Sequence, residues 1–349
     1  MDRITAHSAT EIKIILVSDT HLGLDLPVHP RTYRVRRGED FFNNFAAVLN
    51  YARIQNADFL VHGGDLFFRS RVNQGLINRT YQMLYDIAGR GIKILLVPGN
   101  HERGNLPSSL FLSDANIHVF DQPRSFTFVK ANHRVAFCGF PFQKDNIRKN
   151  FTAYLRATGW SSLNAQVRFL CLHQVVEGAT VGPGNYCFLG GEQTIAINNL
   201  PPQFTAVLAG HIHRAQILYR KGVSKYERLP VIYSGAIERT SSAERNEQKG
   251  FYDIRIRLDR GGKILYRAID FLQLPTRPMK QVVLPLNLNR EELISYIERE
   301  VRYLHPRSIV YFRCLSERKT AKSVIPDAAQ LRNILPPEMI GKFTRSCFT

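Results

Sequence analysis

Long apolar runs are missing from this sequence. No stretch approaches the roughly 20 apolar residues that a helix needs to cross a bilayer, and the first eight residues contain no apolar signal segment. We therefore expect a soluble, cytoplasmic protein that is not embedded in a membrane.

Cysteine is scarce and its spacing is irregular. The five cysteines of the 349-residue chain include no Cys-x-x-Cys pair, so the sequence indicates neither a zinc knuckle nor a disulfide framework. A reducing compartment is the simplest interpretation. The chain also lacks a Gly-x-x-x-x-Gly-Lys phosphate-binding motif, so any ATP hydrolysis linked to this protein belongs to another chain.

Acidic residues are few in comparison with basic ones. The chain contains 47 Lys and Arg residues against 29 Asp and Glu residues, which gives a formal net charge of +18. Such an excess favours a polyanionic partner. We rank nucleic acid ahead of two alternatives, a solvated basic surface and an acidic membrane surface.

Buried strands alternate with amphipathic helices in the first hundred residues. Apolar runs at 12–17, 59–67 and 92–97 predict strands, and apolar residues at helical spacing in 41–52 and 77–87 predict helices. This β-α-β-α-β order is typical of a layered α/β sheet with parallel neighbours.

Strands dominate the next part of the chain. One helix is predicted at 146–157. The predicted strands are at 135–140, 167–173, 206–213, 231–234, 252–258 and 264–271. A sandwich of two sheets with outer helices fits this pattern better than a single doubly wound sheet.

A segment with two prolines, 275–278, marks a domain boundary. Beyond it the sequence predicts a β-α-β unit, with elements at 281–286, 290–303 and 308–315. Asn289 and Glu292 are spaced as a capping box for the helix. The predicted domains are therefore 1–274 and a small C-terminal domain, 275–349.

Potential metal ligands follow several of the predicted strands. In the 59–67 run, Gly63 and Gly64 precede a carboxylate, Asp65, and glycines let a metal approach the backbone closely. The other candidates just past apolar runs are Asp19, His21, Asn100, His101, His173, His211 and His213. A lone histidine is more often a core or surface residue, but repeated placement at strand ends indicates a site.

The types of ligand indicate the metal and its chemistry. Asp, Asn and His together suit Mn²⁺, Fe²⁺ or Zn²⁺, whereas all-carboxylate sites suggest Mg²⁺ or Ca²⁺. A carboxylate with two oxygens can bridge a pair of ions, and such a pair lowers the pKa of a bound water and holds phosphate oxygens. Asp65 is our candidate for the bridging ligand.

These motifs resemble those of a known family. The five ordered motifs of the calcineurin-like metallophosphoesterases are matched by Asp19-x-His21, Gly64-Asp65, Gly99-Asn100-His101-Glu102, His173 and Gly210-His211-x-His213. A finer resemblance is to the SbcD-type DNA double-strand-break repair nucleases. It rests on Ser18 to Gly23, Gly63 to Phe67, Tyr233 to Arg239 and the small C-terminal unit.

The resemblance implies both a fold and a function. The implied fold is α/β (α+β), a four-layer β-sandwich flanked by helices, with a small C-terminal β-α-β cap that faces DNA. The implied activity is that of a two-metal phosphodiesterase that cleaves DNA in repair, as an exonuclease, a structure-selective endonuclease or both. The implied partners are DNA and an SbcC-like, SMC-type ATPase, and a homodimer is left open. In a bacterium we expect the protein to be associated with the nucleoid.

The resemblance also implies roles for single residues. It implies two divalent metal ions, with Mn²⁺ expected first and Mg²⁺, Fe²⁺ or Zn²⁺ as alternatives. One ion would be held by Asp19, His21, Asp65 and His213, and the other by Asp65, Asn100, His173 and His211. His101 would contact the phosphate or protonate the leaving oxygen, and Glu102 would orient its turn.

Three features depart from the family pattern. Phe68 stands where many of the nucleases have a second phosphate-contacting histidine, so we expect phosphate stabilisation from Arg69 or Arg71. His62 lies three residues before Asp65, and we expect it to be a buried, hydrogen-bonded strand residue. The C-terminal region is short, so we expect a reduced or absent tail for docking an ATPase.

Basic segments near the metal motifs are candidates for contacts to the DNA backbone. These candidates are Arg31, Arg34, Arg36, Arg37, Arg69, Arg71 and Arg214, with further basic residues at 148–149 and up to residue 228. Tyr33 and Phe68 could stack on bases. No base-reading motif is visible, so we expect little sequence specificity.

Two rival interpretations are weighed against a DNA nuclease. One is a metallophosphoesterase that acts on small nucleotides or phosphoproteins, and the net charge of +18 argues against it. The other is a subunit that serves mainly as a scaffold for a partner ATPase, and the intact ligand set argues against that. The sequence leaves open the polarity of cleavage, the preferred DNA structure, the physiological metal and the oligomeric state.

Overall fold

The computed structural model describes residues 9–27, 29, 34–107, 114–220, 229–285, 288–314 and 324–344. Two of the residues singled out above, Arg31 and Tyr33, lie outside the described residues, as does the end of the last basic segment at 221–228.

The described chain contains helices and strands in the following order. The strands are β1 (Thr10–Val17), β2 (Phe59–His62), β3 (Lys93–Leu96), β4 (Ile117–Val119), β5 (Arg124–Lys130), β6 (His133–Gly139), β7 (Val167–His173), β8 (Val175–Val176), β9 (Thr180–Val181), β10 (Tyr186–Cys187), β11 (Thr194–Ile195), β12 (Ala206–Gly210), β13 (Gln216–Tyr219), β14 (Pro230–Tyr233), β15 (Gly250–Leu258), β16 (Ile264–Gln273), β17 (Met279–Leu284), β18 (Ile309–Cys314) and β19 (Ile340–Phe343). The α-helices are α1 (Gly38–Ile54), α2 (Gln74–Ala88), α3 (Ile147–Ala157), α4 (Arg290–Arg302) and α5 (Ala328–Ile334). Short 3₁₀ helices lie at Trp160–Ser162, Ile197–Asn199 and Ser242–Glu244.

The chain divides into two compact units. Unit 1 comprises Met1–Leu24, Phe41–Glu238 and Gln248–Leu274. Unit 2 comprises Asp25–Asp40, Arg239–Glu247 and Pro275–Thr349. The division into domains 1–274 and 275–349 stays a prediction from the sequence.

The first sheet of unit 1 has the strand order β16-β15-β1-β2-β3-β4. Strands β1 to β4 are parallel, as the β-α-β-α-β pattern predicts, and β15 and β16 add an antiparallel edge. Because β1, β2 and β3 run in the same direction, the loops that follow them emerge at one edge of the sheet. Those loops carry Asp19, Asp65 and Asn100.

The second sheet of unit 1 has the order β13-β14-β12-β7-β6-β5. Strands β6, β7, β12 and β14 are parallel, and β5 and β13 are antiparallel edge strands. His173 and Gly210 are direct partners across β7 and β12. The loop after β12 therefore places His211 and His213 beside His173.

The two sheets of unit 1 enclose a common apolar core. Ile14 and Leu16 of the first sheet share a buried cluster with Phe137, Phe169 and Leu208 of the second. This arrangement confirms the predicted two-sheet sandwich with helices. Edge strands β4, β5 and β13 were not predicted, because they are short or half-exposed and carry no continuous apolar run.

Two glycines bring the site-bearing ends of the sheets into contact. A Cβ atom on Gly210 would lie 2.3 Å from the Gly63 carbonyl oxygen, and one on Gly63 would lie 2.9 Å from the Gly210 nitrogen. Any larger residue would push the chains apart. The loops after β2 and β12 can therefore meet.

Helices α2 and α3 follow the predicted apolar spacing. Asn146 caps the start of helix α3, and its side chain accepts a hydrogen bond from the Lys149 backbone N–H. The helix buries Ile147, Phe151 and Leu155. Every helix in the described ranges is too short or too polar to span a bilayer.

Unit 2 contains a three-stranded parallel sheet, β17-β18-β19, with α4 and α5 as its helices. The predicted β-α-β unit and the Asn289–Glu292 capping box are both present. Helix α5 and strand β19 extend it and were not predicted, since each is a short element of seven residues or fewer.

Candidate metal centre

The loops after β1, β2 and β12 hold parts of the backbone in the left-handed region. Asp19, His21, Asp65 and His211 have φ angles of 51°, 45°, 53° and 84°. This conformation is uncommon for residues other than glycine, and it clusters at functional sites. The first two loops are also joined, because the His21 N–H donates to the Asp65 carbonyl at 3.0 Å.

Asp65 lies at the centre of the candidate ligands and is 2% exposed. Its Oδ2 atom is 3.5 Å from His173 Nε2 and 4.0 Å from His21 Nε2. Its Oδ1 atom accepts a hydrogen bond of 2.9 Å from the His101 backbone N–H. One carboxylate thus faces histidines from both sheets.

Asp19, His21 and His213 form a group on one side of Asp65. His21 Nε2 is 3.0 Å from His213 Nε2, which is 3.7 Å from Asp19 Oδ1. Asp19 is oriented by its neighbours, since it accepts hydrogen bonds from Ser18 Oγ at 2.5 Å and from the His211 N–H at 3.1 Å. We name these three residues with Asp65 the first ligand group.

Asn100, His173 and His211 form a group on the other side. His173 Nδ1 donates to the Gly63 carbonyl at 2.7 Å, which leaves its Nε2 atom 2.9 Å from Asn100 Oδ1. His211 Nδ1 is 2.8 Å from the same Asn100 oxygen. We name these three residues with Asp65 the second ligand group.

The pKa values in the site reflect burial and these close contacts. Burial raises the pKa of Asp19. Burial would also raise the pKa of Asp65. The pKa of Asp65 nevertheless lies below its usual range, because His173 acts on it through its charge and a hydrogen bond and His21 acts on it through its charge. Burial would lower the pKa of His173, yet the Asp65 carboxylate raises it to about 9. The site therefore favours positive charge next to Asp65.

The donor set fits divalent cations. Within the described chain, the only ion pairs of Asp19 and Asp65 are with histidines, so no lysine or arginine compensates these buried carboxylates. His21 Nδ1 is buried without a hydrogen-bond partner among the described atoms. Carboxylate, amide and imidazole groups together suit Mn²⁺, Fe²⁺ or Zn²⁺.

His101 differs from these histidines in exposure. Its side chain is 33% exposed, and its Nε2 atom lies 3.9 Å from Asp65 Oδ2. Its Nδ1 atom donates to the Phe68 carbonyl at 2.7 Å, and its ring packs on the Phe68 ring with centroids 5.4 Å apart. Phe68, the predicted departure from the family, thus supports His101 with its backbone and its ring.

Glu102 joins the loops after β2 and β3. Its buried carboxylate accepts hydrogen bonds from the Phe67 N–H at 2.6 Å and the Gly99 N–H at 2.7 Å. Gly99 also has no room for a side chain, since a Cβ there would lie 2.2 Å from Asp65 Oδ1. These contacts agree with the orienting role expected for Glu102.

His62 is buried beside the site and hydrogen-bonded, as expected. It accepts from the Gly64 N–H at Nδ1 and contacts Thr20 Oγ1 through Nε2 at 3.0 Å. Burial lowers its pKa to about 3.

Several supporting residues were not found from the sequence. Ser234 Oγ is 2.8 Å from Ser18 Oγ, which donates to Asp19. The fully buried Lys249 donates to the His213 carbonyl at 2.8 Å, and the Phe142 ring lies 5.6 Å from the His211 ring. Ser234 falls in a motif quoted above, but nothing in the sequence marks Lys249 or Phe142.

The predicted DNA-contacting arginines have different surroundings. Arg69 and Arg71 are exposed and follow Phe68. Arg34 and Arg36 contact the Asp25 carboxylate, and the Arg37 N–H donates to it. Arg214 bonds to Asn185 Oδ1 at 2.8 Å and to the Gly182 carbonyl. Arg69 and Arg71 are the exposed members of the predicted set in unit 1, and the contacts of all these arginines with DNA stay a prediction.

A two-sheet α/β fold with metal-ligand side chains at adjoining strand ends is the arrangement of a metallophosphoesterase. The family model described as calcineurin-like phosphoesterase matches residues 12–215, more than half of the chain. The chain belongs to the calcineurin-like phosphoesterase family, and divalent metal ions are the cofactors of that family.

Relatives of known sequence agree with this assignment. An uncharacterized metallophosphoesterase, YhaO of Bacillus subtilis, is 25% identical over 258 residues, 71% of this chain and 58% of its own. The DNA double-strand break repair protein Mre11 of Methanosarcina acetivorans is 25% identical over 351 residues, 94% of this chain and 52% of its own. Mre11 of Methanosarcina mazei is 27% identical over 303 residues, 81% of this chain and 44% of its own. The chain spans about half the length of these relatives, and the Mre11 similarity confirms the resemblance to DNA repair nucleases.

Solved structures with a similar fold are more distant. A dimetal phosphatase from Danio rerio is 11% identical with a TM-score of 0.44, over 74% of this chain and 98% of its own. The NAD nucleotidase NadN of Haemophilus influenzae is 15% identical with a TM-score of 0.39, over 76% of this chain and 51% of its own.

Proposed function

We propose that this protein is a two-metal phosphodiesterase that cleaves DNA in repair. The observation that carries the proposal is the position of Asp65, whose Oδ2 atom faces His21 of the first ligand group and His173 of the second. A carboxylate in this position can serve both groups, as a bridging ligand does in two-metal phosphoryl-transfer sites.

Each ligand group would hold one divalent cation. The first comprises Asp19, His21, Asp65 and His213, and the second Asp65, Asn100, His173 and His211. When bound, such a pair of ions activates a water molecule and neutralises charge on the phosphate oxygens. We expect Mn²⁺ first, with Mg²⁺, Fe²⁺ and Zn²⁺ as alternatives.

His101 would be the proton donor to the leaving oxygen. Its Nδ1–H is held by the Phe68 carbonyl, so its Nε2 atom is the one available to the substrate. The partial exposure of the ring lets a phosphodiester reach that atom, unlike the fully buried His173.

DNA as the substrate is supported by charge and by the relatives. The net charge of +18 suits a polyanion better than a single phosphate group. Arg69 and Arg71 are exposed directly after the loop that carries Asp65. Two of the relatives are named as Mre11 DNA double-strand break repair proteins.

The partners and the location belong to the same proposal. We place the protein in the cytoplasm, with DNA and an SbcC-like SMC-type ATPase as partners, and leave a homodimer open. Residues 275–349 would form the DNA-facing cap. These assignments come from the resemblance to the repair nucleases.

An assay with DNA and with a small phosphodiester tests the activity. The chain in Mn²⁺ is incubated with end-labelled single-stranded and duplex DNA and with bis(p-nitrophenyl) phosphate. We expect the wild type to cleave DNA, and Asp65→Asn and His213→Ala to lose both activities and to bind less metal. The matched control is Asp145→Asn, which changes an exposed carboxylate. This variant should keep both activities.

Two outcomes would reject parts of the proposal. Wild-type activity in Asp65→Asn would remove the metal assignment. Hydrolysis of the small phosphodiester without cleavage of any DNA would favour the rival, an enzyme for small nucleotides.

A further inference from the structure

A hairpin near the metal centre carries two exposed apolar side chains. It pairs β9 with β10, with Tyr186 opposite Val181. Tyr186 is 65% exposed, and Leu189, just beyond the hairpin, is 79% exposed. Exposed apolar side chains close to an active site are candidates for contacts with a ligand.

Arg214 fixes the tip of this hairpin. It is the residue directly after His213 of the first ligand group, and it donates to Asn185 Oδ1 at 2.8 Å and to the Gly182 carbonyl at 2.5 Å. Gly182 and Asn185 both have positive φ, at 69° and 51°, so the turn is tight. The tip is thereby tied to the loop that carries His213.

Gln216 fixes the base of the hairpin. Its Oε1 atom accepts from the Thr180 N–H at 2.9 Å, and its Nε2 atom donates to the Thr180 carbonyl at 2.9 Å. The chain enters the hairpin from His173 of the second ligand group, through β8. The hairpin is therefore connected through β8 to His173 and is hydrogen-bonded to the segment that follows His213.

The ring of Tyr186 has room for a further aromatic contact. It meets the Phe188 ring edge to face, with centroids 5.1 Å apart, and most of its surface is exposed. Aromatic side chains beside a nuclease site can stack on unpaired bases without regard to sequence. A side chain on a fixed hairpin loses little freedom when it binds.

We propose that this hairpin is a base-stacking platform for DNA at the metal centre. Tyr186 stacks on an unpaired base next to the scissile phosphodiester, and Leu189 packs against the same DNA strand. This inference rests on the proposed function and narrows its substrate to DNA with unpaired bases at the cleaved bond, such as single strands and frayed or overhanging ends.

Kinetics with single-stranded oligonucleotides test the platform. Loss of one stacked base corresponds to about a 5- to 150-fold loss of affinity, so Tyr186→Ala should raise KM for single-stranded DNA by that factor while kcat stays close to wild type. Tyr186→Phe keeps the ring and should restore the wild-type KM. The matched control is Tyr266→Ala, which removes a tyrosine of similar exposure, 54%, from the edge strand β16.

The outcomes separate this inference from the proposed function. A wild-type enzyme that cleaves DNA, with an unchanged KM in Tyr186→Ala, would overturn the platform and leave the nuclease intact. An equal rise of KM in Tyr266→Ala would also overturn it. A wild type that cleaves no DNA would overturn the proposed function and the platform with it. The unfolding temperature of each variant is measured as a control. An unfolding temperature equal to that of the wild type shows that a change in KM comes from binding and not from loss of folded protein.

Discussion

At the scale of single residues, His101 can be separated from the ligands around it. The ring nitrogens of His173 are engaged by the Gly63 carbonyl and by Asn100 and Asp65. His101 has one nitrogen held by Phe68 and the other 3.9 Å from Asp65 Oδ2, and its side chain is 33% exposed. This difference predicts that His101 acts on the substrate and that metal binding does not require it.

His101→Ala should therefore slow hydrolysis and leave metal binding unchanged. Loss of a general acid lowers the rate by about 10²- to 10⁴-fold. The measurements are kcat with the small phosphodiester and the metal content per chain. Asn100→Ala, one residue earlier, should instead lose metal. A wild-type kcat in His101→Ala would refute the role.

The sequence indicated the candidate ligands and the orienting Glu102, but not the other residues that orient the candidate ligands. Every proposed ligand follows an apolar run, and the repetition of this local pattern is what indicates the set. Ser18 and Ser234 are 216 positions apart, and Lys249 reaches the His213 carbonyl through the fold. Such pairs have no local signal, because only the packing of the sheets brings them together.

At the scale of elements, Glu102 links the loop of β2 to the loop of β3. Its two oxygens accept from backbone N–H groups on the two loops, at Phe67 and Gly99. The link fixes the distance between Asp65 and Asn100, which those loops carry.

Glu102→Gln should destabilise the protein and reduce activity. The amide NH₂ would face a backbone N–H and leave a buried donor without an acceptor, at a cost of about 1–3 kcal/mol. Thermal or urea unfolding measures this change. The control is Glu177→Gln, whose carboxylate contacts Arg148 at the surface at 3.3 Å, where such pairs contribute at most about 1 kcal/mol. Equal stability of the two variants would contradict the role of Glu102 in linking the two loops.

Central strands were predicted well, whereas the edge strands β4, β5 and β13 were not predicted. Buried strands such as β1, β7 and β12 have continuous apolar runs. Strand β5 is half-exposed along its length, and its pairing with β6 depends on the sheet more than on its own side chains.

At the scale of the whole molecule, net charge should control DNA binding. Each phosphate contact made by a cation contributes about −0.9 to the slope of log K against log salt concentration for duplex DNA. With several contacts, binding should weaken steeply as salt rises. Fluorescence anisotropy with a labelled duplex at several salt concentrations measures the slope.

Two exposed arginines allow a direct test of this charge effect. The double variant Arg69→Gln/Arg71→Gln should make the slope shallower by about two. Arg90→Gln is the matched control, since Arg90 is exposed and precedes β3, at the opposite end of that strand from Asn100. A flat salt response in the wild type would favour a small-molecule substrate.

The left-handed backbone at Asp19, His21, Asp65 and His211 limits how this site can change by mutation. Each position has to adopt a φ angle that only glycine, asparagine, aspartate and histidine tolerate well, and under the proposed function it also supplies a ligand atom. Glutamate or cysteine could coordinate a metal but would strain the chain, and alanine would add backbone strain to the loss of a ligand. Few single substitutions can therefore exchange one ligand type for another here. Asp65→Asn is the replacement that removes the carboxylate charge and keeps a residue that tolerates the left-handed backbone.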